Sequence, residues 1–78
     1  MPDTSEKIRA IIAQQLEIKD EKVMENSSIV EDLGADSLDV IGVFSVLEEK
    51  FDIQIPDEDS DKIITVRDLV SYINERIA

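Results

Sequence analysis

The sequence predicts an all-α fold, a small four-helix bundle of three main helices plus one short helix, with a long ordered loop between helices I and II. Three observations carry that prediction. Apolar residues recur three and four apart in three separate segments. The strict apolar-polar alternation of a half-buried strand is nearly absent. Finally, 78 residues with no internal repeat and no low-complexity tract leave room for one domain, residues 1–78, around one small Ile/Val/Leu core.

Taken in order, "TSEKIRAIIAQQLEI" places Ile8, Ile11, Ile12 and Leu16 on one face behind an Asp3/Thr4 start signal, which predicts helix I over residues 4–16. Residues 17–36 form a connector of a length that ordinarily counts against such an assignment. Ile18, Val23, Ile29, Val30 and Leu33 are spaced through it, however, and are expected to pin it to the bundle as an ordered loop. Gly34 suits a tight turn, and Asp36 is a good N-cap, so helix II is expected to begin with Ser37 in its first turn. At about 100° per residue, Val40, Val43, Phe44, Leu47 and Phe51 share one face, and Leu38, Gly42, Ser45 and Glu49 share the opposite one. Leu38 is therefore an apolar residue on the polar side. Pro56 predicts a single short helical turn near residues 57–61. Val66, Leu69, Val70, Ile73 and Ile77, behind a capping-box-like Thr65 and Asp68, predict the last helix over 66–77.

Composition excludes several function classes. With no cysteine and no histidine, disulfide staples, thiolate or imidazole zinc sites and Ser-His or Cys-His catalysis are ruled out. No apolar run approaches membrane-spanning length, and the N-terminal segment lacks a long apolar stretch, so a soluble protein of the cytoplasm or an organelle matrix is expected, and it is expected to be a monomer. The net charge of −11 disfavours nucleic acid and anionic membranes as partners. Its distribution is uneven: residues 31–61 hold eleven acidic side chains against a single Lys50. For any one carboxylate this is a solvated surface group or part of a docking face, and the concentration as a whole points to a basic partner surface. Asp57, Asp59 and Asp61 also have the alternate spacing of a calcium loop, but Lys62 replaces the turn glycine and Asp68 the bidentate glutamate, so no dedicated metal site is expected, weak divalent binding that relieves the repulsion of clustered carboxylates being the more modest alternative.

The stretch "EDLGADSLDV" then poses a chemical question, because it sets the Ser37 hydroxyl between Asp36 and Asp39. A serine needs a neighbouring base to act as a nucleophile, and two aspartates are weak bases for that task. A self-sufficient hydrolase is thereby disfavoured. Position alone leaves two readings: a plain helix cap, with Ser37 or Asp36 satisfying the first N–H groups, or a Ser37 that bears a phosphate ester, which the helix dipole would favour by about 0.3–1 kcal/mol.

The "EDLGADSLD" stretch, the apolar helix ending in "LEEKF" and the following "IPDED" closely resemble the acyl carrier proteins of fatty acid and polyketide synthesis. The likeness covers essentially the whole chain, from "IRAIIAQQLEI" to "VRDLVSYINERI". The resemblance implies a non-catalytic carrier in which Ser37 bears 4′-phosphopantetheine, transferred from coenzyme A by a separate phosphopantetheinyl transferase. Acyl groups would ride as thioesters on the prosthetic thiol, with the bundle interior able to shelter the chain. By position it also implies that Asp36, Leu38, Asp39, Glu48 and Glu49 meet basic patches on fatty acid or polyketide synthase enzymes; Leu38 could alternatively pack on Leu33. Gly42 stands where these carriers commonly have glutamate and Ser45 where an apolar residue is usual. Either both positions have drifted, or they mark an altered partner surface in a specialised carrier. An unmodified acidic interaction module is the alternative of a different class.

Overall fold

The computed structural model describes residues 4–77, so the Asp3 half of the expected first cap lies outside the described residues. The element order is α1 (Thr4–Leu16), a 3-10 turn (Asp20–Lys22), α2 (Ser37–Phe51), α3 (Asp57–Ser60) and α4 (Val66–Ile77). Among the described residues four α-helices form, three where the apolar periodicity predicts them and the short one where Pro56 does, and the only strand-like pairing is an isolated Ser28–Thr65 bridge.

The core follows from the spacing of apolar residues. Ile8 and Ile12 from α1, Val43 and Leu47 from α2, and Val66, Leu69 and Ile73 from α4 are all fully buried against one another. Val40 and Phe51, expected on the same face, sit half-buried at its margins. Glycine is absent from the helix ends, yet α1 and α2 both close with a left-handed residue: Glu17 at φ 57° and Asp52 at φ 55°. The Ile18 N–H then reaches back to the Ala13 carbonyl (3.0 Å) and the Ile53 N–H to that of Glu48 (3.1 Å), the long-range bond of a Schellman ending.

The connector is ordered for the expected reason, with one exception. Val23 and Ile29 are buried, and Ile18 and Leu33 pack against the core, but Val30 is 56% exposed. Backbone hydrogen bonds add what the sequence pattern did not show: the Ile29 N–H donates to Ile64 O (3.0 Å), Val66 N–H to Ser27 O (3.0 Å) and Arg67 N–H to Glu25 O (2.9 Å). The Arg9 Nε donates to the Val23 carbonyl at 2.9 Å and ties the other end to α1.

The start of α4 is a reciprocal cap. The Asp68 N–H donates to Thr65 Oγ1, and the Asp68 carboxylate accepts from the N–H groups of both Thr65 and Ile64, each at 3.1 Å. Those backbone bonds, Thr65 first and then Ile64, hold the Asp68 carboxyl below the usual aspartate range. A depressed folded-state pKa adds stability above the unfolded value of 3.8 that disappears as pH falls through the lower folded value. Asp68→Asn is therefore expected to narrow the difference in melting temperature between pH 5 and pH 3, read against wild type in the same buffers. An unchanged difference would contradict the linkage.

Acidic repulsion should also be visible in thermal melts. Among the described residues, ion pairs are limited to Arg67–Glu25 (3.4 Å) and Arg76–Asp59 (3.1 Å), set against a net charge of −11. Raising salt from low to moderate ionic strength is expected to raise the melting temperature, because screening relieves the excess of like charge. A melting temperature that falls over that range would contradict this.

Candidate functional site

The site is built at the junction of the connector and α2. Gly34 takes φ +76°, a left-handed turn in which a Cβ would be strained, and the buried Ala35 anchors the chain immediately after it. Asp36 then caps α2 as expected, in a full reciprocal box. Its Oδ1 accepts the Asp39 N–H at 2.8 Å, and the Asp39 carboxylate accepts the Asp36 N–H at 3.3 Å. The capping function thus falls to the two aspartates. Ser37 is left exposed in the first turn, and no hydrogen bond of its hydroxyl is found among the described residues. Of the two residues in the plain-cap reading, Asp36 makes the cap and the Ser37 hydroxyl takes no part in it. No histidine exists to activate the hydroxyl from within the chain.

Beside the serine runs an apolar cleft of about 530 Å3, within the size range of small-molecule sites. Val40 and Phe44 of α2 form one wall, Ile29 and Val30 of the connector another, and Ile63 and Ile64 after α3 the third. Ser37, Val40 and Phe44 stand at i, i+3 and i+7, so the hydroxyl and the cleft lie on the same side of α2. A group attached at Ser37 can therefore turn back into the cleft.

The expected partner residues do not form one equivalent set. Leu38 is 77% exposed and does not bury itself on Leu33, and Ser45 and Glu49 are exposed as predicted. Asp36 and Asp39 are engaged with each other at the cap. Glu48 is half-buried and turns back on its own chain, its Oε2 accepting the Ile55 N–H at 2.8 Å, so it braces the α2–α3 loop. Gly42 departs from the sequence expectation: it is half-buried rather than on the open face, and an added Cβ would come 3.2 Å from the Gln15 side-chain oxygen of α1. The 40° offset of Gly42 from Leu38 on the helical wheel turns it toward the α1 packing side.

Gln15 is exposed and its amide can move, so Gly42→Ala is expected to raise stability by up to about 0.5–1 kcal/mol through helix propensity. Urea denaturation measures this; a loss of stability would show that Gln15 cannot yield.

Two features escaped the sequence reading. Ile41, 60% exposed and one turn from Leu38, extends the apolar strip on the open face of α2. Its i+3 spacing from Leu38 was the available signal. The second is a cluster joining α3 to α4: the Tyr72 hydroxyl donates to Asp59 Oδ2 at 2.7 Å, and Arg76 Nη2 donates to the same oxygen at 3.1 Å. Burial, reinforced by the hydrogen bond to Asp59, pushes the Tyr72 phenol up, so it remains a donor at neutral pH. With Asp59 so engaged and Asp68 capping α4, the calcium-loop spacing does not assemble as a loop; Asp57 and Asp59 lie on α3 itself.

Residues 6–73 match the family described as "Phosphopantetheine attachment site". Over all 78 residues, the chain is 49% identical to an acyl carrier protein of Zymomonas mobilis, covering the whole of both sequences. The fold is similar to the solved structure of a "putative acyl carrier protein" from Mycobacterium tuberculosis, with a TM-score of 0.88 and 34% identity across 95% of this chain and 99% of that one. The cofactor of such proteins is covalent 4′-phosphopantetheine, and they are carriers, not catalysts; they work with a phosphopantetheinyl transferase and with acyl-handling enzymes. Among the described residues no helix is long and apolar enough to cross a membrane. A family match over most of the chain, full-length identity to a carrier and the same helical fold together show that this chain belongs to the phosphopantetheine-bearing acyl carrier proteins.

Proposed function

We propose that residues 1–78 act as one carrier domain in which Ser37 bears the 4′-phosphopantetheine arm, and that it delivers acyl thioesters to the enzymes of fatty acid biosynthesis. The observation that supports the assignment is the exposed Ser37 in the first turn of α2, one turn before the cleft-lining Val40 on the same side of the helix, while Asp36 and Asp39 do the capping. The local geometry suits the phosphate ester, since the first N–H groups of a helix have no intrahelical acceptors and carry partial positive charge. When attached, the group supplies a flexible thiol, which this chain itself lacks. The cleft walls of Val40, Phe44, Ile29 and Ile63 keep water from an apolar chain.

Partner docking falls to the open face of α2. Leu38 and Ser45 lie along it, Glu49 and the acidic Asp36–Asp39 pair flank it, and Glu48 and Gly42 shape it from its edges. An apolar centre inside an acidic rim fits a basic enzyme surface with an apolar pocket, a pairing that steers encounter without requiring a large interface. The strong acidity and the "GADSLD" core favour the fatty acid pathway, in a monomeric cytoplasmic protein. Incubation with coenzyme A, Mg2+ and a broad-specificity phosphopantetheinyl transferase is expected to add one phosphopantetheinyl mass, placed on Ser37 by fragment mass spectrometry. Absence of any added mass in folded protein, or its placement elsewhere, would overturn the assignment. Acceptance of a malonyl group from a fatty acid synthase malonyltransferase tests the pathway.

A further inference from the structure

The short helix α3 is held in an unusual way. It spans only Asp57–Ser60 and contributes no buried residue, so core packing does not fix it directly. Its internal bonds, such as the Ser60 N–H to Pro56 O at 2.9 Å, shape the turn without locating it on the bundle. Flanking Ile55 is buried and Ile63 half-buried, which tethers the two ends. The one side-chain attachment of α3 itself to another helix, among the described residues, is Asp59. Its Oδ2 accepts both the Tyr72 hydroxyl (2.7 Å) and Arg76 Nη2 (3.1 Å) from α4. The Arg76 guanidinium carbon also lies 4.8 Å from the centre of the Tyr72 ring, so each of the three side chains holds the other two.

The position of that clamp gives it a consequence. Ser60 and Asp61, the residues immediately after Asp59, line the same cleft as Val40 and Phe44, followed by Ile63 and Ile64. This part of the cleft lining is therefore tied to α4 through the neighbouring Asp59. Moving α3 outward requires Asp59 to leave Tyr72 and Arg76; leaving them in place fixes the distance across the cleft. Asp59 keeps 26% of its side chain exposed and Arg76 49%, so solvent can take over these bonds and release is accessible within the folded state.

We propose that the Asp59–Tyr72–Arg76 clamp sets the bore of the cleft and so the length of acyl chain this carrier shelters, Tyr72 and Arg76 acting as positioning residues through α3. The inference rests on the reading of the cleft as the acyl site. The clamp is closed for short chains and yields as a longer chain pushes Ser60 and Ile63 away from Phe44.

The test uses the full chain loaded enzymatically from short, medium and long saturated acyl-coenzyme A, in wild type, Tyr72→Phe and Asp59→Asn. Tyr72→Phe keeps the ring and its stacking on Arg76 and removes only the hydroxyl. Before loading, amide exchange at Asp61 and Ile63 is expected to be about five- to tenfold faster in the variants, the change that follows from losing one partly exposed hydrogen bond. After loading, the rise in wild-type melting temperature should grow with chain length and then level off. In the variants the levelling point should move to longer chains. A merely structural clamp would lower every melting temperature alike and leave that point unmoved, which overturns the proposal. If acylation fails to stabilise even the wild type, the acyl-site reading itself fails and the clamp proposal falls with it.

Discussion

Ser37→Ala is expected to abolish phosphopantetheine loading completely while leaving the domain folded. The loss follows from chemistry: the phosphoester needs this hydroxyl, and on our reading no other serine combines exposure, a helix N-terminus and access to the cleft. Ser45 is exposed but lies two turns along α2, and Ser28 is buried with its Oγ accepting the Glu31 N–H at 3.1 Å. Retention of the fold follows from the division of labour at the cap. Asp36 and Asp39 satisfy each other's backbone N–H groups, and neither bond involves Ser37. Alanine is moreover the better helix former by up to about 0.5 kcal/mol. Intact mass after transferase treatment, with thermal melts alongside, reads both halves. Loading of the alanine variant would place the arm elsewhere; a large drop in melting temperature would show a structural use of the hydroxyl that the geometry does not reveal.

Leu47→Ala should have the largest effect on stability. Leu47 is 0% exposed and belongs to the central α2 layer that meets Ile8, Ile12 and Ile73 in the common core. Removing its buried methyl groups and leaving a cavity costs about 2–5 kcal/mol. Total stability at roughly 0.05–0.15 kcal/mol per residue gives a chain of this size only about 4–12 kcal/mol, so a large share of it is at stake. The urea midpoint should fall sharply with little change in slope. Leu38→Ala is the matched control: the same chemical deletion on the same helix, at a residue 77% exposed, should change stability by no more than about 0.5 kcal/mol. Equal effects at the two positions would contradict the burial pattern.

The two leucines also show where the sequence was informative. Leu47 belongs to a run of apolar residues three and four apart, and Leu38 breaks the pattern of its own face; both placements could be read directly. The same holds for the helix bounds, since the Asp36 and Thr65 caps lie within one turn of the groups they satisfy. Ser37 stood out as a candidate for a similar reason. Its proposed role depends on a turn, a cap and a helix start that are contiguous in sequence, and the "GADSLD" pattern gave the family resemblance its specificity.

Gly42, Glu48 and Val30 were harder because their settings are not local. The wheel put Gly42 on the open face, and only the approach of Gln15 from α1 reveals it as half-buried. Glu48 carries the residue type of a docking carboxylate, yet the chain returning after Asp52 brings the Ile55 N–H within its reach. Val30 looked like a pin for the connector and instead lines the cleft. Nothing in the spacing of Asp59, Tyr72 and Arg76, 17 residues from first to last, foretold that they would meet.

By itself the sequence determined the helices, their caps and the composition of the core, and it singled out the serine proposed to carry the arm. All of these depend on interactions within a turn or two of chain, or on burial of one regular face. The tertiary structure alone decided the cleft beside Ser37, the clamp that backs it and which acidic side chains remain open to a partner. Those depend on how separate segments pack, and a single buried surface or hydrogen bond between residues far apart in sequence is enough to redirect a side chain from solvent to a structural role.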